Sequence, residues 1–293
     1  MNRNEACGPR WYDAPYNATL STGLRTVGRL SHGVQIGLRH GFDSGLALDH
    51  VYRNRAQGIT PLGRLLDRVI LNTAGWRAIR HRGATLNHLL NQAATNAIAR
   101  DGQARVLDLA SGPGRHTLDL LKRRRHAPIQ ALLFDRSSHD LKAAEEHALH
   151  THLGNRVSLT QGDAFNPENI HAAAASWQPN VVIVSGLYEL THDAQAIHHS
   201  LAALSHVVAP KATLIYTNQL THPQARLIAH VIPRTNGVPR ALVHRPQATL
   251  DAWIKQHGFA TQHTQADPWG IFTVTQACYD ANNMTPTAAT RQT

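Results

Sequence analysis

An acidic residue followed by a turn of small residues is the feature of this chain best suited to chemistry. Residues 106 to 116 read Val-Leu-Asp-Leu-Ala-Ser-Gly-Pro-Gly-Arg-His, so that Asp108 ends a short apolar run. The small residues that follow it are Ala110, Ser111, Gly112 and Gly114. Such a run is typical of a buried parallel strand, and small side chains let a ligand approach the backbone closely. The segment therefore predicts a cofactor site at the end of a strand.

Two further acids follow the next two apolar runs. Asp135 ends Ala-Leu-Leu-Phe-Asp, and Asp163 ends Val-Ser-Leu-Thr-Gln-Gly-Asp. Ligands of an open parallel sheet bind outside the carboxyl ends of its strands, so these acids and Asp108 should meet in one crevice. Because a carboxylate accepts several hydrogen bonds, Asp135 could hold two ribose hydroxyls and Asp163 an adenine amino group. A single acid of this kind would more simply cap the following helix, but three in succession favour a ligand.

The spacing of these residues also distinguishes between cofactors. Dinucleotide sites place glycines directly after the strand, as G-x-G-x-x-G, and this turn lacks that pattern. An acid at the tip of the first strand instead suits a ligand that carries a cationic amino group. S-adenosylmethionine has such a group, so the residues favour S-adenosylmethionine over a dinucleotide.

Together, residues 104 to 278 resemble the class I S-adenosylmethionine-dependent methyltransferases. The resemblance rests on four motifs: Val-Leu-Asp-Leu-Ala-Ser-Gly-Pro-Gly, Phe-Asp-Arg, Gly-Asp-Ala-Phe and Val-Val-Ile-Val-Ser-Gly-Leu-Tyr-Glu-Leu. Ala110 departs from the glycine that is usual in this family, and its methyl group adds little bulk to the turn. The departure is therefore compatible with the cofactor.

The resemblance implies roles for residues beyond the three acids. Ala164 and Phe165 would flank the adenine, although Phe165 could instead be a core residue. Ser185 and Gly186 would line the methionine side of the cofactor. Arg136, in the Phe-Asp-Arg motif, would also contact the cofactor.

A narrower resemblance extends into the N-terminal third, to a family of proposed bacterial methyltransferases in which such a domain sometimes follows an α/β-hydrolase domain. It is carried by motifs that include Gly41-Phe42-Asp43-Ser44-Gly45, Thr60-Pro61-Leu62-Gly63-Arg64, His222-Pro223-Gln224 and Trp269-Gly270-Ile271-Phe272-Thr273-Val274. This family implies no particular substrate.

The methyl acceptor would be handled by residues that follow the fourth and fifth strands. Methyl transfer is an in-line displacement in which the protein positions a nucleophile and, for a hydroxyl, removes its proton. His222 is the preferred general base, because an imidazole titrates near neutrality; a surface role is the alternative in a chain with 21 histidines. Tyr188 and Glu189 are the other catalytic candidates, and Glu189 could instead serve a structural hydrogen bond.

Four residues are predicted to contact the substrate: Tyr52, Arg53, Asn218 and Gln219. Tyr52 and Arg53 belong to a polar cluster with Asp43 and Asn54 that could close over the substrate. The same cluster could equally pin a loop by buried hydrogen bonds, because buried polar groups need partners.

The elements that position these residues predict an α/β fold. Short apolar runs alternate with helical stretches, which indicates a Rossmann-like, seven-stranded methyltransferase sheet, parallel with an antiparallel edge hairpin, and an N-terminal helical cap. Strands are predicted at 104 to 109, 129 to 134, 156 to 161, 180 to 185, 211 to 217, 259 to 265 and 270 to 278. Helices are predicted at 60 to 80, 85 to 100, 114 to 125, 136 to 153, 193 to 208, 223 to 232 and 246 to 257.

The predicted domains are a helical cap at 1 to 100, a cofactor-binding domain at 101 to 279 and a disordered tail at 280 to 293. The Gly-rich segment from Gly33 to Gly58 predicts a loop over the site or an ordered linker. Two distant cysteines indicate neither a disulfide framework nor a cysteine-based zinc site. The first thirty residues lack a continuous apolar core and no run of about 18 apolar residues occurs, so we expect a cytoplasmic protein.

The charge of the chain leaves several partners open. A formal charge of +10 and a pI near 10.3 would favour nucleic acid, acidic lipid or an anionic substrate. Against base methylation, Ser-Gly-Leu-Tyr after the fourth strand is not the Asn/Asp-Pro-Pro-Tyr motif, and no separate nucleic-acid-binding module is evident. A small-molecule acceptor methylated on oxygen, in secondary metabolism, is the leading hypothesis. A phospholipid or other membrane-borne acceptor, with peripheral association at an anionic membrane, is the alternative, and RNA is a weaker one.

Overall fold

The computed structural model describes residues 26–42, 45–222 and 243–284. The chain divides into two compact units. The first unit combines Met1–Arg80 with His222–Leu242, and the second combines His81–Thr221 with Val243–Thr293. Within the described ranges, no helix is both long enough and apolar enough to cross a membrane.

The second unit contains a seven-stranded sheet in the order β3-β2-β1-β4-β5-β7-β6. Its strands are β1 Ala104–Leu109, β2 Ile129–Asp135, β3 Val157–Gln161, β4 Val181–Val184, β5 Thr213–Gln219, β6 His257–Ala266 and β7 Phe272–Met284. The first five are parallel, and β7 pairs antiparallel with both β5 and β6. The predicted α/β sheet with an antiparallel edge hairpin is confirmed.

Apolar side chains on both faces of the sheet explain why these runs form strands. All four residues of β4 are buried, as are Val106, Leu107 and Leu109 of β1. Leu107 and Leu109 pack on one face, whereas Val106 packs on the other. A strand that is buried on both faces reads as a continuous apolar run, which is the pattern recognised in the sequence.

The helices described in the two units, in chain order, are α1 His32–His40, α2 Gly45–Arg53, α3 Pro61–Leu71, α4 Ala74–Asp101, α5 Arg115–Arg123, α6 Ser138–His150, α7 Pro167–Ala174, α8 Ala194–Val207 and α9 Gln247–Gln256. Short 3-10 turns occur at Val27–Leu30, Gly154–Arg156 and Tyr188–Leu190. The predicted cap of α8 is present, because Asp193 accepts hydrogen bonds from the amides of Gln195 and Ala196. The helix predicted at 223 to 232 lies outside the described residues.

Helix α7 is absent from the predictions. Asn166 caps it by accepting hydrogen bonds from Glu168 and Asn169, and Pro167 occupies its first turn. An Asn-Pro-Glu start is a recognisable helix signal, so the sequence itself indicates α7.

The long helix α4 places the boundary between the units earlier than predicted. The two units meet at Arg80 and His81, inside the helix, rather than at residue 100. Leu86, Leu90 and Ala94 explain the difference, because they are buried in the same apolar cluster as Val106 of the sheet. The second half of α4 is therefore part of the sheet unit.

The first unit is helical where a loop or linker was predicted between Gly33 and Gly58. Helices α1 and α2 fill this segment, and a buried carboxylate fixes their ends. Asp67 of α3 accepts hydrogen bonds from the Ser31 hydroxyl at 2.6 Å and the Gly33 and Gln57 amides at 2.9 and 2.8 Å, and its Oδ2 lies 2.8 Å from His50 Nε2. Burial alone would raise the pKa of Asp67, but these bonds outweigh it and lower the pKa to about 2.

The C-terminal strand is longer than predicted. Strand β7 continues to Met284, which pairs with His257 of β6, so residues 280 to 284 are not a disordered tail. Pairing with β6 orders residues 280 to 284, which their polar composition alone did not predict. Residues 285 to 293 lie outside the described ranges.

Candidate active site

The turn after β1 is held in a tight left-handed shape. Positive φ angles occur at Ala110 (59°), Gly112 (53°) and Gly114 (68°). The Ser111 amide donates to the Phe134 carbonyl at 3.1 Å, and the Gly114 amide donates back to the Ser111 carbonyl at 3.0 Å. The turn therefore presents its backbone at the carboxyl edge of the sheet.

The two glycines of this turn have different surroundings. A Cβ on Gly114 would lie 2.5 Å from Leu133 Cδ1, so Gly114 allows the turn to pack on β2. A Cβ on Gly112 would meet nothing within 4 Å in the described part of the chain. Gly112 thus faces open space, as a residue that a ligand approaches must.

Ala110 adopts a backbone conformation that glycine favours. Its φ of 59° costs a non-glycine residue roughly 1–2 kcal/mol. The turn keeps the shape expected for glycine at this position, so the departure from the family pattern does not change the backbone path.

Asp108 is a buried carboxylate without a nearby cation among its described partners. Its Oδ2 accepts a hydrogen bond from Thr117 Oγ1 at 2.6 Å. Burial raises the pKa of Asp108 to about 6; the Thr117 bond opposes this shift, and the charge of Asp135 adds to it. Two adjacent carboxylates in an apolar setting favour a cationic ligand, because a positive charge would stabilise both.

Asp135 ends β2, and both of its carboxylate oxygens already accept one backbone hydrogen bond. The Gly112 amide donates to Oδ2 and the Ser137 amide to Oδ1, each at 2.8 Å. A carboxylate oxygen has two lone pairs, so each oxygen can still accept one hydroxyl. The predicted ribose contact is compatible with this geometry.

The segment after β3 forms an open groove of about 450 Å³. It is lined by Asp163, Phe165, Asn166, Pro167 and Glu168. Asp163 Oδ1 accepts a hydrogen bond from the Phe165 amide at 2.9 Å, which fixes the loop, and Ala164 is buried beneath it. Phe165 is half-buried against the core, so its side chain could either flank the adenine or serve as a core residue. Arg136 is exposed.

A chain of hydrogen bonds fixes the segment after β4. Ser185 is half-buried, and Gly186, with a φ of 75°, faces open space in the described structure. The Gly186 amide donates to Thr217 Oγ1 at 2.9 Å, and that hydroxyl donates to Glu189 Oε1 at 2.8 Å. The position of Gly186 thus depends on the Glu189 carboxylate.

Arg82 of α4 completes this network, and sequence reasoning missed it. Its Nη1 lies 3.2 Å from Glu189 Oε1, and its guanidinium lies 4.7 Å from the centroid of the Phe272 ring. Both side chains of the ion pair are buried, and within the described ranges Arg82 Nε and Glu189 Oε2 have no hydrogen-bond partner. The sequence does carry a signal for Arg82. It lies four residues before Leu86 and therefore on the apolar side of α4.

Tyr188 is a core residue. Its side chain is fully buried, its hydroxyl lies 3.2 Å from Ser200 Oγ, and burial raises its pKa above the usual range. A hydroxyl in this position cannot contact a substrate, so the predicted catalytic role of Tyr188 does not fit the structure.

Asn218 and Gln219 are buried within β5 rather than following it. Asn218 Nδ2 donates to the Arg245 carbonyl at 3.0 Å and to Gln247 Oε1 at 3.2 Å, and the Gln219 carbonyl accepts from the Arg245 amide at 3.1 Å. Asn218 Oδ1 is buried without a partner among the described residues. The side-chain bonds of Asn218 and the backbone bond of Gln219 organise the end of β5, and the predicted substrate contacts remain predictions.

The remaining predicted residues belong to the first unit. Arg53 is exposed and forms an ion pair with Asp49 of the same helix, with Nε and Oδ2 2.6 Å apart. Tyr52 and His222 are half-buried. Asp43 lies outside the described residues. The roles predicted for Tyr52, Arg53 and His222 therefore remain predictions.

Comparisons with known proteins agree with this architecture. A family model described as "Putative methyltransferase" matches residues 8–278. YnbC of Escherichia coli, described as uncharacterized, is 39% identical over 255 residues, which cover 87% of this chain and 43% of YnbC. The chain thus spans less than half the length of that relative.

Several solved structures share the fold. A protein of Bordetella parapertussis described as a possible exported protein has a TM-score of 0.64 and 18% identity, covering 92% of this chain and 97% of its own. Magnesium protoporphyrin IX methyltransferase (ChlM) of Synechocystis, solved with bound SAH, has a TM-score of 0.53 and 14% identity, covering 87% and 100%. Mitomycin 7-O-methyltransferase MmcR has a TM-score of 0.51 and 14% identity, covering 90% and 67%. At these identities the similarity concerns the fold alone.

Proposed function

Because this chain belongs to the methyltransferase family whose model matches its residues 8–278, we propose that it transfers the methyl group of S-adenosylmethionine to an oxygen of a small-molecule acceptor. The acceptor is proposed to be a metabolite of secondary metabolism. The names of ChlM and MmcR, which share the fold, support a small-molecule acceptor, and that of MmcR supports transfer to oxygen.

The observation that carries the proposal is the open backbone at Gly112 beside two buried carboxylates. Gly112 faces empty space, and its amide is already bonded to Asp135, so its peptide is held for a ligand. Asp108 lies next to Asp135 and lacks a cationic partner in the described structure. An open turn with unbalanced negative charge suits a cofactor that is cationic at its amino group and its sulfur.

The described residues fit S-adenosylmethionine along the carboxyl edge of β1 to β4. Asp135 would accept the ribose hydroxyls, Asp163 and Phe165 would bind the adenine, and Ser185 with Gly186 would line the methionine end. Ala110, Ser111, Gly112 and Gly114 would form the floor, and Arg136 is proposed to contact the cofactor from the surface. The bound cofactor supplies an electrophilic methyl group.

For the acceptor, the chain has to position a hydroxyl and remove its proton. His222, three residues after β5, is the proposed general base, because an imidazole can take a proton near neutral pH. Glu189 is proposed as a positioning residue rather than a base, because its Oε1 is engaged by Thr217 and Arg82. Tyr52, Arg53, Asn218 and Gln219 remain proposed substrate contacts.

A calorimetric titration with S-adenosylmethionine tests the first half of the proposal. We expect saturable binding to the full chain, weakened by Gly112→Ala and unaffected by Gly102→Ala. Gly102 also has a positive φ, of 77°, and open surroundings, but it precedes β1 at the opposite edge of the sheet. No heat of binding to the folded wild-type chain would contradict the proposal.

The second half of the proposal concerns the methyl acceptor. Incubation with methyl-labelled cofactor and a cell extract, followed by mass spectrometry, should give a labelled compound in the small-molecule fraction, with the label on oxygen. Label found only in RNA or in phospholipid would replace the small-molecule acceptor with the corresponding alternative, while leaving the cofactor assignment intact.

A further inference from the structure

Helix α3 in the first unit exposes an apolar stripe to solvent. Leu62, Leu65 and Val69 are 53%, 58% and 60% exposed, and Ile59, just before the helix, is 77% exposed. With about 3.6 residues per turn, positions 62, 65 and 69 fall on one side of a helix. Four of the six large hydrophobic residues that are exposed in the described ranges lie in this one segment.

The opposite side of α3 is firmly anchored. Gly63, Asp67 and Leu71 are buried, and Asp67 accepts the four hydrogen bonds that hold α1 and α2. Thr60 Oγ1 caps the helix by accepting from the Gly63 amide at 3.0 Å. The apolar stripe is therefore exposed by the packing of this unit, and a rotation of α3 would break the Asp67 bonds.

Arginines border the apolar stripe. Arg64 and Arg68, one turn apart, are exposed beside Leu65, and Arg55 is exposed in the preceding loop. Two adjoining grooves, of about 400 and 340 Å³, are lined in part by these arginines. The first contains Arg55 and Arg68, and the second contains Arg64, Arg68 and Leu65.

Negative charge is scarce in this part of the chain. Residues 26–42 and 45–80 contain eight arginines and two acids, Asp49 and Asp67. Asp67 is fully buried, and Asp49 is paired with Arg53. The surface beside the stripe is therefore cationic as well as apolar.

We propose that this α3 face, formed by Ile59, Leu62, Leu65 and Val69 with Arg55, Arg64 and Arg68, docks on an anionic lipid surface. A helix that combines an apolar stripe with flanking cations inserts its apolar side at the boundary between headgroups and acyl chains. The arginines pair with lipid phosphates, which the grooves between them are large enough to admit.

The charge pattern favours lipid over a second copy of the chain. A two-fold interface through this face would bring two sets of arginines together, and no acid among the residues that form the face would balance them, which is unfavourable. An anionic bilayer supplies both the apolar phase and the counter-charges. The proposal is independent of the cofactor site, because the α3 face lies in the first unit and the candidate cofactor residues lie in the second.

Vesicle flotation of the full chain tests the proposal. We expect flotation with vesicles of equimolar phosphatidylglycerol and phosphatidylcholine, and little with phosphatidylcholine alone. Arg64→Gln with Arg68→Gln should weaken partition about fivefold for each arginine, and raised salt should have a similar effect. Leu65→Gln with Val69→Gln should weaken it roughly tenfold, because the apolar area that enters the lipid is lost.

Matched controls keep the test specific. Leu149→Gln removes a side chain that is 62% exposed on α6, and Arg123→Gln with Arg125→Gln removes two exposed cations near the end of α5; neither change should alter partition. Unchanged thermal unfolding and cofactor binding would show that the α3 variants are folded. Equal flotation with both vesicle types, equal losses in the controls, or a dimer that the α3 variants dissociate would overturn the proposal.

Discussion

The two halves of the carboxyl edge of the sheet are built differently. After β1 to β3, the candidate cofactor residues are an open turn at Gly112 and one carboxylate for each strand. After β4 and β5, the polar side chains are buried and bonded to one another, as in the network of Arg82, Glu189 and Thr217. The first half offers groups to a ligand, whereas the second fixes the backbone on which Gly186 lies.

The largest expected effect comes from the buried ion pair of the second half. Arg82→Met removes the cation that contacts the buried Glu189 carboxylate and should cost about 3–5 kcal/mol in the free energy of unfolding, measured in urea. Arg82→Met with Glu189→Leu should recover most of this loss. Arg100→Met, which breaks the partly exposed pair with Asp101 on the same helix, should cost less than about 1 kcal/mol. Similar losses of stability in Arg82→Met and Arg100→Met would contradict the distinction between the buried ion pair and the partly exposed one.

The next effect concerns the open turn of the first half. Gly112→Ala places a methyl group in the space assigned to the cofactor and should weaken S-adenosylmethionine binding roughly thirtyfold. Gly102→Ala, with the same backbone cost of about 1 kcal/mol, should leave the affinity unchanged. If calorimetry gave equal dissociation constants for the two variants, the cofactor would not lie against Gly112.

The pH dependence of cofactor binding tests whether the ionised carboxylate of Asp108 holds the cofactor. Burial raises its pKa to about 6 from 3.8, and a bound cation favours the ionised form. The affinity for S-adenosylmethionine should therefore fall about tenfold as the pH drops from about 7 to about 5, and it should be level above about 7. Asp108→Asn should bind weakly with a flat profile; a sloping profile in this variant would assign the titration to another group.

The same raised pKa has the opposite effect on the stability of the unliganded chain. Between about pH 4 and 6 the folded state binds a proton at Asp108 more readily than the unfolded state does. The contribution of this group to stability therefore increases as the pH falls through that window. Comparison of the wild type with Asp108→Asn in urea isolates the contribution.

The smallest effect is expected at Tyr188. Tyr188→Phe removes the hydroxyl near Ser200 and should cost about 1 kcal/mol or less, with no change in the rate of methyl transfer. Once an acceptor is identified, a large fall in the turnover number of this variant at unchanged stability would return Tyr188 to the catalytic residues.

The glycines of the first unit led to a wrong secondary-structure prediction, because local sequence patterns treat glycine as a residue that ends a helix. Gly33 lies in α1, where a Cβ would come within 2.9 Å of Asp67 Oδ1, so glycine permits close packing rather than a turn. This segment rich in glycine was predicted to be a loop or an ordered linker, although it forms helices that are held by long-range bonds to Asp67. The sequence pattern has no means of showing which residue a glycine approaches.

The sequence by itself determined the succession of the seven strands along the chain and located the candidate cofactor residues at the ends of the parallel strands. Each candidate there is adjacent along the chain to the strand that positions it, and parallel strands bring their carboxyl ends together. Only the tertiary structure decided the other half. Arg82 meets Glu189 across 107 residues, and the side chain of Tyr188, which was predicted to be catalytic, turns into the core. Partners that distant are selected by packing, which local spacing does not encode.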